Sequence, residues 1–288
     1  MGVSYTHRDM LKGALGIPAS TTGDHGQLDA VMESVSRLIE KYCGMEFYPS
    51  SGTYYYTPTN SRELYLDTPL LAVDSIGCDF NGDASYEVTM ASDAYFLSPY
   101  NATAQAPRAP WWTIETRINN ATAVFAARIQ RGARIVGRWG YYDEHAPIAG
   151  VTLAAAATSG ATALTLNGST NLHAGQTILI DSEQLYVVQA PASATASHSS
   201  GISVTRALNG TTAAAHTSGT AIDAYSYPII DRAALYQCEQ DYRAKDTPMG
   251  FAGGEPFGNQ QMRPGMGGLH PFVRRMLDPF RQPLSAVV

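Results

Sequence analysis

Between residues 151 and 225 the chain carries only four charged side chains, Asp181, Glu183, Arg206 and Asp223, in a stretch crowded with Ala, Thr, Ser and Gly. So little charge, with few helix-forming stretches, leaves little but a β structure for this segment. Short apolar runs recur at 161–166, 176–180, 185–189, 202–206 and 220–225, separated by turn residues that include Asn167-Gly168 and Asn209-Gly210. The segment reads as a small all-β module, inserted into a core made from both of its flanks. Its Ala/Ser/Thr surface suits a solvated decoration better than a catalytic cleft.

The flanks carry the helical signals. Leu28, Val31, Met32, Val35, Leu38, Ile39, Tyr42 and Cys43 recur at three- and four-residue steps, which predicts an amphipathic helix over about 27–43. Asp24 and Gln27 resemble a capping box, and Gly44 suits the stop. Burial of each such side chain is worth roughly 1.5–3 kcal/mol, so this stripe is expected to be a main attachment to a core. From about 53 to 141 the pattern turns to β, with strands expected at 53–57, 63–66, 71–80, 86–90, 111–118 and 133–141. The pair Asn81-Gly82 marks a tight hairpin turn. A second helix is expected at 228–244, opened by Pro228.

These pieces predict an α+β fold, with helical elements packed on a small antiparallel β-sheet, an inserted all-β domain and an extended C-terminal arm. The expected division is 1–150 for the first part of the core, 151–225 for the insert, 226–250 for the closing helix and 251–288 for the arm. The arm holds six Gly and five Pro in 38 residues, a composition that does not order by itself. Within it Leu269, Phe272, Val273, Met276, Leu277 and Phe280 keep helical spacing, between Pro271 and Pro279. Arg274, Arg275 and Arg281 fall outside that stripe. This is the pattern of a short amphipathic anchor that needs a groove.

Chemistry-bearing motifs are few. With 19 Lys+Arg against 25 Asp+Glu, the net charge is 19 − 25 = −6, a poor balance for gripping duplex DNA. No run of about 18 apolar residues suggests a membrane span, and the first residues lack the layout of a secretion signal. Cys43, Cys78 and Cys238 are too few and too scattered for a disulfide framework or a zinc site. The sequence holds no Gly-rich phosphate loop ending in Lys-Ser/Thr, no nucleophile elbow and no His-Glu-x-x-His. The expectation is therefore no catalytic residue, no cofactor and no metal. Asp143-Glu144-His145 reads as a solvated loop, because adjacent residues in extended chain point apart. Trp111-Trp112 and Tyr54-Tyr55-Tyr56 read as aromatics shared between a core and an interface.

Several segments are nevertheless familiar. Ile39-Glu40-Lys41-Tyr42-Cys43-Gly44 followed by Phe47-Tyr48-Pro49, then Leu64-Tyr65-Leu66-Asp67-Thr68-Pro69-Leu70 with Val73 and Ile76, then Gly137-Arg138-Trp139-Gly140-Tyr141 with Pro147, resemble the head–tail connector (adaptor) proteins of tailed bacteriophages. The resemblance covers about 20–148 and 226–250. The 151–225 insert departs from it. Gly175 to Glu183 and Val204 to Thr211 are similar to small β modules of phage structural proteins.

The resemblance implies a structural virion protein of the neck, assembled in the host cytoplasm. It would form a ring, expected to be a dodecamer, between the portal protein and the tail or tail-completion (stopper) proteins. Packaged DNA would pass through its channel without sequence-specific binding, and no membrane is involved. In this family the C-terminal arm commonly reaches the portal. Leu269, Phe272, Val273, Arg274, Arg275, Met276, Leu277, Phe280 and Arg281 are then the candidate portal-docking residues. Two other functions compete with this one. The chain could be a surface-recognition protein whose β module and Trp111-Trp112 hold host glycans. It could also be a cell-wall hydrolase, although no local pattern specifies the carboxyl pair that such chemistry needs.

Overall fold

A computed structural model describes residues 3–102, 109–119, 123–167, 172–190, 201–244 and 268–281. Its helices are α1 (Arg8–Leu15), α2 (His25–Cys43), α3 (Pro228–Ala244) and α4 (Pro271–Leu277). Its first six strands are β1 (Ser50–Tyr56), β2 (Glu63–Cys78), β3 (Val88–Thr89), β4 (Tyr95–Ser98), β5 (Trp111–Thr116) and β6 (Ala133–Trp139). Seven more follow: β7 (His145–Leu153), β8 (Ala163–Leu164), β9 (Leu166–Asn167), β10 (Thr177–Ile180), β11 (Glu183–Gln189), β12 (Ile202–Thr205) and β13 (Ala221–Tyr225).

The expected fold class is overturned. Among the described residues the molecule is mostly β, with two antiparallel sheets of six and seven strands and four short helices, 25% helical against 33% strand. It is not a helix-dominated α+β fold. The physical reason is that each sheet supplies an apolar core of its own and needs no helix to cover a shared one. The chain forms two compact units. One comprises Met45–Asp143 with Asn209–Thr211, and the other comprises Met1–Gly44, Glu144–Leu208 and Thr212–Val288. Of the stretch 151–225, all but Asn209–Thr211 lies in the same unit as the four helices, and its sheet already starts at His145.

In the first of these units the strand order is β1-β6-β2-β5-β4, with β3 paired to the far end of β2. Leu64, Leu66, Leu70, Ile76, Ile114, Ile135 and Trp139 alternate with outward residues and form the core. The separate strands expected at 63–66 and 71–80 are one strand. The chain passes Pro69 by shifting register between Tyr65 and Leu70 rather than by ending. β6 runs unbroken through Gly137, where a Cβ would lie 2.2 Å from the Ala72 carbonyl oxygen. The tight Asn81-Gly82 hairpin is replaced by a wider loop. Asp79 accepts backbone N–H groups from Asn81, Gly82 and Ala84, and pairing resumes only at Val88.

In the second unit the sheet order is β8-β12-β11-β10-β13-β7-β9. Leu153, Leu164, Ile178, Ile180, Leu185, Val187, Ile202 and Ile222 fill its interior. The helices pack on one another. Leu28, Met32, Val35, Ile39 and Cys43 of α2 are buried, as are Ile230, Ala233, Ala234, Cys238 and Tyr242 of α3. Gly44 ends α2 at φ 78°, with its N–H on the Glu40 carbonyl. Asp24 precedes α2 without a side-chain capping bond, so the expected capping box is absent. Helix α1, unforeseen in the sequence, is capped by His7, whose Nδ1 accepts the Met10 N–H. It is tied to the β module by Arg8 N–H on the Ala174 carbonyl (3.0 Å) and by Asp9 on His173 (2.6 Å).

Candidate docking surfaces and polar clusters

The C-terminal segment is built as a short capped helix. His270 accepts the Phe272 N–H through Nδ1, and Pro271 takes the first helical position, where no donor is needed. A 3-10 turn, Asp278–Phe280, follows. Leu269, Val273, Leu277 and Phe280 are buried. Tyr236 on α3 lies 5.1 Å from the His270 ring and 5.0 Å from Phe272, and Gln237 accepts the His270 N–H. On α2, Tyr42 donates to Asp278 at 2.6 Å, and the Arg281 guanidinium lies 5.2 Å from the Tyr42 ring centre. The hydrogen bond to Asp278 raises the Tyr42 phenol above its ordinary range, with burial adding to it.

Thus the apolar side of the anchor already has its groove, and that groove is on the chain itself. Four buried side chains are worth roughly 6–12 kcal/mol in gross transfer energy, too much to surrender for a partner. The residues left outward are Phe272, Arg274, Arg275 and Arg281, with Met276 half-buried. Expectations for 245–267 and 282–288 lie outside the described residues.

A second cluster was missed in the sequence. Glu183 is fully buried. One carboxylate oxygen accepts from Arg206 Nε (2.7 Å) and Ala207 N–H (3.0 Å). The other accepts from Arg206 Nη2 (2.6 Å) and Ala214 N–H (2.9 Å), and lies 3.0 Å from His216 Nε2. Arg206 also donates to the carbonyls of Thr158, Ala161 and Ala214, and His216 Nδ1 meets Asp181 at 2.7 Å. Burial pushes the Glu183 carboxyl up, but the Arg206 bonds, two backbone N–H groups and His216 outweigh it and hold it at about 2. Both Glu183 oxygens are engaged, and the cluster clasps the β module. The available signal was that three of the only four charges in 151–225 meet here.

The remaining candidates disperse. Asp143 pairs with Arg138 and His145 with Asp223, while the Glu144 carbonyl accepts the Ser226 N–H. Three neighbours therefore serve three separate contacts. Tyr54 and Tyr56 turn inward against Trp139, at 4.3 and 6.2 Å between ring centres, while Tyr55 faces out. Burial, followed by the nearby Asp67, drives the Tyr56 phenol far up. Trp111 and Trp112 are both half-buried, and Trp111 helps line a groove of about 810 Å³ with Val73, Tyr95, Phe96 and Tyr100. Among the described residues, Asp79, Asp83 and Glu87 form the one three-acid group with ligand atoms within 4.8 Å. Both Asp79 oxygens already hold loop N–H groups, and these outweigh the upward push of burial on its carboxyl. No helix of the described residues is long and apolar enough to cross a membrane. No known protein-family model matches the chain, and no curated protein matches it.

Proposed function

We propose that the protein is a structural adaptor of a tailed-phage neck, forming a ring between portal and tail around the DNA channel. The observation that carries this reading is the order and spacing of three sequence segments, 39–49, 64–76 and 137–147, which resemble head–tail connectors. Two structural features support it. The buried Glu183–Arg206–His216 cluster closes on itself, as befits a scaffold, and an outward aromatic–arginine surface surrounds α4.

In this reading, portal docking uses Phe272, Arg274, Arg275, Arg281 and the half-buried Met276. Leu269, Val273, Leu277 and Phe280 act indirectly, by seating the helix on α2 and α3. Arginine suits such a contact because its planar fork meets carboxylates and carbonyls in two places at once. The acidic balance of the chain lets passing DNA slide without adhering. Mixing the purified protein with portal rings tests the reading. Co-migration as a larger ring complex is expected, and separate migration at all ratios overturns it.

A further inference from the structure

We infer that copies of this chain associate edge to edge through the six-stranded sheet, with the β4–β5 end of one copy set against the β1–β6 end of the next. This deepens the ring reading and rests on it only for closure of the chain of contacts into a ring.

The argument starts from alternation. Leu64, Ile114 and Ile135 point into the core, so Glu63, Tyr65, Glu115 and Arg134 point outward on the same face. Beside β4, Glu115 of β5 stands directly opposite Glu63 of β2, the next strand in, a like-charge pair that costs stability in an isolated sheet. Neither forms an ion pair among the described residues. Each accepts a tyrosine hydroxyl instead, Glu63 from Tyr65 and Glu115 from Tyr100. The neighbouring Arg117 stacks on Phe96 at 4.2 Å. Tyr65, Tyr100 and Phe96 are 64%, 63% and 44% exposed.

The opposite end has the complementary defect. Arg131 lies 4.0 Å from the Tyr55 ring centre and Arg134 lies 4.5 Å from that of Tyr86, and neither meets a carboxylate among the described residues. The buried Nε of Arg134 has no hydrogen-bond partner. The acids of the adjoining loop, Asp83 and Glu87, are held by Asn81. One end of the sheet thus offers aromatics with unpaired acids, and the other offers aromatics with unpaired bases.

Both terminal strands are also open to pairing. Among the described residues β1 pairs only with β6, and β4 only with β5. Neither strand carries the Lys, Glu or Pro that commonly blunts an exposed edge. Gly210 sits against the Ser51 carbonyl, so the contact falls on Thr53–Tyr56. Because the two edges differ, the association is head-to-tail, and such contacts repeat until they close.

The test uses the full chain. In sedimentation velocity, Glu115→Arg alone and Arg131→Glu alone should each weaken self-association by about tenfold or more, while their equimolar mixture restores it. Tyr55→Cys/Phe96→Cys, treated with a short bis-maleimide, should give a ladder beyond the dimer. Cys43, Cys78 and Cys238 are all buried and stay silent. A wild-type chain that stays monomeric at its solubility limit overturns the inference, as does a mixture no better than either variant. A ladder ending at the dimer does so too. Circular dichroism melts identify any variant that has failed to fold, and Glu63→Gln/Glu115→Gln then replaces it, with the same weakening expected. Portal co-migration by a chain whose edge variants self-associate undiminished sinks this inference alone. Intact edge association without portal binding sinks only the adaptor reading.

Discussion

Arg206→Leu is the most demanding test of the β-module clasp. The substitution leaves the fully buried Glu183 carboxylate without two charge-assisted bonds, and strips donors from the carbonyls of Thr158, Ala161 and Ala214. Removing one partner of a buried ion pair costs about 3–5 kcal/mol, because the other charge stays in a dry site. At about 1.4 kcal/mol per factor of ten, local opening should become roughly a hundred to a few thousand times more frequent. Native-state hydrogen exchange on peptides from 177–189 and 201–206 reads this directly, with peptides from the six-stranded sheet as internal reference. Glu183→Gln/Arg206→Leu should recover part of the loss, since the amide removes the buried charge and its one oxygen still accepts either the Ala207 or the Ala214 N–H. An acceleration below about tenfold, or a double variant worse than the single, would refute the clasp.

Burial, with His173 beside it, depresses the His7 imidazole from 6.5 to about 4. The unfolded chain therefore binds a proton there first, so this contribution is complete above pH 6.5 and is lost as pH falls through 4; His7→Gln should flatten that part of a stability-against-pH curve. Glu183, held at about 2 against 4.5 unfolded, contributes above pH 4.5 and loses its effect toward pH 2, which exchange in the β module measures. Gly137→Ala forces a Cβ to 2.2 Å from a backbone oxygen and should cost about 1–3 kcal/mol or more in urea unfolding of the six-stranded sheet. Arg274→Ala/Arg275→Ala, both at exposed positions, should leave thermal melts within about 0.5 kcal/mol of the parent while abolishing portal co-migration.

Local pattern was readable where it alone decides the outcome. Pro228 and the stripe behind it mark α3, and the short apolar runs of 161–225 fall on β8 to β13. Long-range choices were not readable. Whether Pro69 ends β2 depends on a register shift against β5, and nothing near Pro69 encodes it. Helix α1 lacks a Ser, Thr, Asp or Asn cap, so the usual start signal is missing, and His7 does that work. The C-terminal stripe was legible as amphipathic, but a stripe cannot say whose groove it fills. Here α2 and α3 provide it. Glu183 and His216 are 33 residues apart, and their meeting is a product of the sheet rather than of any motif.

The interleaving of the two units bears on how the chain is made. Met45–Asp143 is continuous, so a growing polypeptide can complete nearly all of that unit as it emerges. Helices α1 and α2 leave the ribosome first yet must wait for Pro228–Ala244 before their apolar stripes are covered. During synthesis those stripes stay open to solvent and to chaperones, which places the vulnerable phase of biogenesis on α1 and α2.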